Sequence, residues 1–165
     1  MDASTSDLIA SISLIISIGA VFFAKSSSSK ANKIAQENLN LQYGMVELEI
    51  SQSIENAKKS INDISIIMVP LVSKERLESI NKEEEDTLDL YRKNFNAATQ
   101  TLINHYDAAC SKYIDEKVDT VRFKKSYKNE IRKLVEKDDL KEYFNPLTSS
   151  YKPILNVYSE WENLE

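Results

Sequence analysis

The apolar positions of this chain fall into three patterns that follow one another. The first is a run from Leu8 to Ala24 that contains no charged residue. At a helical rise of roughly 1.5 Å per residue it covers about 25 Å, close to the short limit for the hydrocarbon core of a bilayer. Ser26 to Ser29 are neutral and extend it, and Lys25 can snorkel to the interface. The preceding flank, MDASTSD, carries Asp2 and Asp7 and no Lys or Arg, whereas a cleaved signal peptide begins basic. The run therefore predicts a retained anchor. Lys25, Lys30 and Lys33 follow it, and the positive-inside rule then puts a short N-terminal tail outside and the rest in the cytoplasm. The expected layout is a tail over 1–7, a transmembrane anchor over 8–29 of a cell inner membrane, and a cytoplasmic helical domain over 30–165.

The second pattern overlaps the first. Ala10, Ser13, Ser17, Ala20, Ala24, Ser27, Ala31, Ile34, Asn38, Leu41, Met45 and Leu48 are spaced by alternating steps of three and four, the heptad spacing of a coiled-coil seam. Every member within the apolar run is Ala or Ser. Beyond Ala31 the members become Ile, Leu and Met, with one Asn. In lipid, helices gain little from burying apolar groups and associate through close backbone approach at small residues. In water, large apolar knobs stabilise the pair. A strict seven-residue repeat implies parallel helices in a left-handed supercoil, and Asn38 on the seam favours one register. The competing reading is that Ala and Ser are merely common here and the helix is solitary.

The third pattern is a stripe out of phase with the seam: Leu39, Tyr43, Val46, Ile50, Ile54, Ala57, Ile61, Ile64, Met68 and Leu71. Two successive steps of four between Val46 and Ile54 rotate the apolar face around the helix. This predicts a handover near residue 48, from self-association to packing on the chain's own later helices. Pro70 is expected to end the helix, because the residue before proline avoids the α region. A second helix is expected within 75–116, either unbroken or restarting at the acidic run 83–86, with the stripe Leu88, Tyr91, Phe95, Ala98, Leu102, Tyr106, Ala109 and Tyr113 as core. It should return antiparallel and bring residues 122–133 back towards the anchor's exit. Asp119 or Thr120 caps a third helix bearing Phe123, Tyr127, Ile131 and Leu134. A short piece around LKEYF follows and Pro146 closes it. The last helix has Ser149 or Ser150 as cap and Pro153 in its first turn, and buries Ile154, Val157 or Tyr158, Trp161 and Leu164. The fold class is all-α: an anchor helix continuing into a long helix, then a cytoplasmic helical bundle.

Composition sharpens this picture. Only 2 Gly and 3 Pro occur in 165 residues, which suits few turns and no strands. The net charge of −5 argues against general nucleic-acid binding. A lone cysteine, Cys110, forms no intrachain disulfide and reads as a small buried hydrophobe. His105 is the sole histidine, too few with Cys110 for a zinc site. Two glycines cannot build a phosphate-cradling loop, and no GxSxG element is present. A helical ribonuclease of the HEPN kind would need an Arg five to seven residues before its His, but Thr99 and Gln100 stand there. No cofactor and no catalytic residue is expected.

One charge feature has content. RFKKSYKNEIRK, residues 122–133, holds Arg122, Lys124, Lys125, Lys128, Arg132 and Lys133 against the single Glu130. Such a face can hold phosphates or lipid headgroups, or it is simply solvated. The five residues Arg122, Lys124, Lys125, Lys128 and Arg132 are the candidate anion site.

The stretch YDAACSKYIDEKVDTVRFKKSYKNEIRKLVE resembles the helical tails of small bacterial and prophage single-pass membrane proteins of the DUF4760-like kind. The likeness covers about residues 88–164 and implies an accessory protein without a catalytic signature. The layout is also similar to membrane-anchored phage-defence effectors such as Csx-type CRISPR accessory proteins, which implies a cyclic-nucleotide ligand. Together these readings predict a non-enzymatic, homo-oligomeric membrane protein that binds a cytoplasmic partner, in phage defence or exclusion. The alternative is a nucleotide-gated effector that disrupts the membrane.

Overall fold

A computed structural model describes residues 5–162, with side chains from residue 24 onward. Four α-helices and one 3-10 helix follow in order: α1 (Thr5–Arg76), α2 (Lys82–Ile114), α3 (Thr120–Glu136), the 3-10 segment (Asp138–Phe144) and α4 (Lys152–Glu162). The described residues contain no strand, so the all-α expectation holds. Among them no helix is long and apolar enough to cross a membrane. The expected anchor falls mainly on side chains outside the described residues, as do the seam positions Ala10, Ser13, Ser17 and Ala20, and Leu164.

The chain divides into two compact units, Met1–Gln42 and Tyr43–Glu165. In the first, side chains 24–42 are all exposed. Ala24 and Asn38 are among them, and the seam residues Ile34 and Leu41 leave 58% and 66% of their surface open.

The second unit is a bundle. Its core joins Ile50 and Ile54 of α1 to Ile103, Tyr106 and Cys110 of α2, Phe123 and Ile131 of α3, and Ile154, Val157 and Trp161 of α4. Each such apolar side chain contributes roughly 1.5–3 kcal/mol by leaving water. The α1 stripe changes character within a few residues. Met45 and Leu48, on the seam spacing, stay exposed, while Ile50, Ile54 and Ala57 are buried. From Ile50 onward the stripe packs on the chain's own later helices, as the phase shift predicts.

Pro70 does not end α1, which runs six residues further, to Arg76. Proline removes one ladder hydrogen bond, the one Ile66 would have accepted. The remaining turns are held by half-buried Leu71 and Val72 and by Ser73 Oγ donating to the Val69 carbonyl at 2.8 Å. The true stop is a Schellman turn. Ser79 N–H donates to the Lys74 carbonyl at 2.9 Å and Glu78 N–H to Glu75 at 3.0 Å. Glu78 takes φ 53°. The end of α2 repeats the device. Lys117 N–H reaches Lys112 O at 2.9 Å, Glu116 N–H reaches Tyr113 O at 3.1 Å, and Glu116 has φ 54°. Both left-handed sites hold Glu where Gly is usual, so neither stop was announced by a glycine.

The second helix does restart, but its cap is Asn81, ahead of the acidic run. Asn81 Oδ1 accepts from Glu84 N–H at 3.0 Å, and Glu84 Oε2 accepts from Asn81 N–H at 3.2 Å. Glu83, Glu84 and Glu85 then sit in the positive first turn. Ion pairs show α2 returning antiparallel to α1. Lys74–Glu84 and Glu75–Arg92 (2.6 Å) join the far end, and Glu49–Lys112 (3.2 Å) joins the near end. Asp119 caps α3 by accepting from Arg122 N–H at 2.9 Å. Ser149 does not cap α4. Its hydroxyl accepts from Tyr151 N–H at 3.0 Å and donates to the Tyr143 carbonyl at 2.5 Å, fixing the loop after the 3-10 segment.

Candidate ligand cleft and the basic helix

On α3 the basic residues go to different neighbours. Arg122 leans on α1, with Nε 3.3 Å from Glu47 and its guanidinium 3.3 Å from Asp119. The Arg122 backbone N–H, and after it the Arg122 guanidinium, hold the Asp119 carboxyl below its usual range. Arg132 forks onto Glu162 of α4, Nε to Oε1 at 3.0 Å. Lys124 lies over the Trp161 ring, 5.9 Å from its centroid. Lys125 is exposed, and Lys128 is half-buried and engaged. The five candidate anion ligands thus do not converge on one point. Two of them are committed to carboxylates and a third to an aromatic face.

What α3 does build lies on its other flank. Glu130, Lys133 and Leu134 line a cleft of about 580 Å³ closed by Lys58 and Ile61 of α1, by α2 from Phe95 to Tyr106, and by the 3-10 segment. Ile61, Phe95, Leu102, Leu134 and Leu140 make it apolar. Glu130 is its polar centre. It accepts from Tyr106 Oη at 2.6 Å and from Lys58 Nζ at 3.1 Å, and Lys58 also reaches Glu55 at 3.0 Å. Burial, and then the Glu130 bond, push the Tyr106 phenol far above its ordinary range. Burial opposes charge on Lys58, but the bonds to Glu55 and Glu130 outweigh it and raise the ammonium. Tyr106 and Lys58 together engage both oxygens of the Glu130 carboxylate.

Around the cleft, Asn96, Thr99, Lys133 and the Tyr143 hydroxyl make no side-chain hydrogen bond or ion pair among the described residues. Lys137 pairs loosely with Asp139 at 3.8 Å. An apolar floor with unspent donors at its edge is the usual build of a small-molecule site. In the sequence Glu130 reads as a dilution of a basic run, and nothing in that run announces a cleft. The signal was its position: Glu130 is three residues after Tyr127 and four before Leu134, on the inward side of α3.

Cys110 is fully buried, and burial pushes its thiol up, away from the reactive thiolate. His105 is half-buried on α2. Among the described residues no cluster of His, Cys, Asp and Glu could hold a metal ion.

No family model, curated protein or solved structure matches this chain.

Proposed function

We propose that this is a non-enzymatic, membrane-anchored protein that self-associates through the α1 seam and presents a cytoplasmic helical bundle to a protein partner. The observation that carries the reading is the exposure of Ile34, Leu41, Met45 and Leu48, four large apolar side chains on one heptad spacing. Isolated apolar residues are normal on a surface, but a periodic row of them marks an interface. The same spacing continues back through Ala and Ser into the uncharged run 8–24, where small residues suit association in lipid. The anchor leads out with Lys25, Lys30 and Lys33, which supports an inner-membrane location with the bundle inside. The similar layout of anchored phage-defence effectors suggests a place in defence or exclusion.

The test is membrane extraction followed by crosslinking of the full-length chain. The protein should resist alkaline extraction and crosslink to itself, and Ser13→Leu with Ser17→Leu should weaken the crosslink while Ile12→Leu with Ile16→Leu does not. Release by alkali sinks the anchor, and equal effects of the two pairs sink the seam.

The cleft favours a second reading, a ligand-gated effector. Its ligand would lay an apolar or aromatic body on Phe95 and Leu102 and turn an anionic group to Lys133. Thermal-shift measurements with ATP and cyclic nucleotides decide this, since a binder stabilises the fold by linkage. A shift abolished by Lys133→Ala supports the cleft, and no shift with any of them removes the nucleotide version.

A further inference from the structure

Resting on the reading that the seam associates, we infer that its partner is one second copy of this chain, parallel and in register, with the two Asn38 amides bonded to each other across the twofold axis. The spacing fixes the phase. In a heptad the step from a to d is three and from d to a is four. Ala31, Asn38 and Met45 are then a positions, and Ile34, Leu41 and Leu48 are d positions. Asn38 is the single polar residue at an a or d position from Ala31 to Leu48, and one such residue specifies register and oligomer state.

The physical reason lies in the amide. Asn38 is exposed and makes no side-chain hydrogen bond within its own chain among the described residues. In a parallel pair the two amides meet in one layer, bond to each other and keep one edge in water. In three or four strands that layer is enclosed and amides go unpaired, at a cost of roughly 1–3 kcal/mol each. Antiparallel chains set a layers against d layers, so Asn38 would face Ile or Leu. A slip of one heptad sets it against Ala31 or Met45.

The flanks agree. A parallel pair brings each g residue to the e residue five further along on its partner, which here matches Lys30 with Ala35, Glu37 with Gln42, and Gly44 with Glu49. None is a like-charge pair, and Glu37 is already served by Lys33 of its own helix at 3.8 Å. The next a and d positions are Gln52 and Glu55, so the interface stops where α1 turns its apolar side to its own bundle. Fewer than three heptads in water are marginal alone. Pairing therefore also draws on the continuation of the seam into the uncharged run 8–24, which a bilayer or a micelle can hold together.

The test uses the full-length chain in phosphatidylethanolamine–phosphatidylglycerol bilayers, with single cysteines at Leu41→Cys and Leu48→Cys, both d positions, and Gln36→Cys, an f position. The native Cys110 is buried and leaves the readout clean. Both d cysteines should form a disulfide-linked dimer about 10-fold faster than the f cysteine, because only they share one interface. The protein with Asn38 intact should sediment in detergent as two chains. Asn38→Leu should shift the mass in detergent sedimentation from two chains towards three or four. Three or four chains with Asn38 intact, or crosslinking at Gln36→Cys equal to that at both d sites, overturns the proposal while leaving self-association standing. Monomers only, in every variant, overturn the underlying reading as well.

Discussion

Leu41 and Ile54 lie on the same helix and both belong to three-and-four apolar spacings, yet Leu41 is 66% exposed and Ile54 only 1%. Helical periodicity marks a face that seeks cover and is silent on who supplies it. The phase shift between Val46 and Ile54 carries that information: before it the described side chains 24–42 are exposed, and after it the stripe is buried in the core shared with α2 and α3.

The largest effects should come from the covered side. Ile54→Ala opens a cavity in a sealed core and should cost about 2–5 kcal/mol in denaturant unfolding. Leu41→Ala should leave monomer stability within about 0.5 kcal/mol and lower self-association instead. Equal losses of unfolding free energy would erase the distinction between the two stripes.

Next in size is the seam itself. Leu41→Asp with Leu48→Asp should turn the full-length protein monomeric in mild detergent without moving its thermal midpoint, read by sedimentation and circular dichroism. A fall in midpoint with unchanged mass would mean that these residues serve the bundle after all.

A smaller effect tests the polar support of the cleft. Tyr106→Phe removes one bond to a carboxylate and should cost about 1.5–3 kcal/mol at neutral pH. The phenol's pKa is raised on folding, first by burial and then by Glu130, so the folded state holds its proton more tightly. That contribution is whole below the ordinary phenol value of 10.0 and fades as pH rises above it. The alkaline loss of stability should therefore be shallower in Tyr106→Phe. An unchanged alkaline limb would show that Tyr106 is not its source.

The smallest effects are gains. Glu78→Gly and Glu116→Gly relieve left-handed strain at the two helix ends and should each stabilise by about 0.5–1 kcal/mol. A loss at either would mean that its Glu side chain does more than tolerate the turn.

Much of this fold was legible from spacing alone: the helix count, the antiparallel return, the Asp119 cap, and Ile154, Val157 and Trp161 as the inward face of α4. Two kinds of feature were not. Helix ends set by hydrogen-bond geometry at Glu78 and Glu116 leave no residue signature, and Pro70 supplied a false one. The cleft was hidden because it needs side chains from α1, α2, α3 and the 3-10 segment together, and no single stretch contains more than a fragment of it. The basic run drew attention by composition, whereas the structure distributes its members to Glu47, Trp161 and Glu162.

Pro70 also bears on how the molecule breathes. With one amide fewer, the turns beyond Ile66 are tied down chiefly by Leu71, Val72 and the ion pairs to Glu84 and Arg92, while Ile66, Ile67 and Val69 face water. Segments with few buried contacts open at lower free energy than the whole. Amide protons of residues 72–86 should exchange early, as one cooperative patch, while those around Ile54 and Ile103 wait for global unfolding. The hairpin then has a loose tip and a fixed root, and any motion reaching the cleft would arrive from the tip.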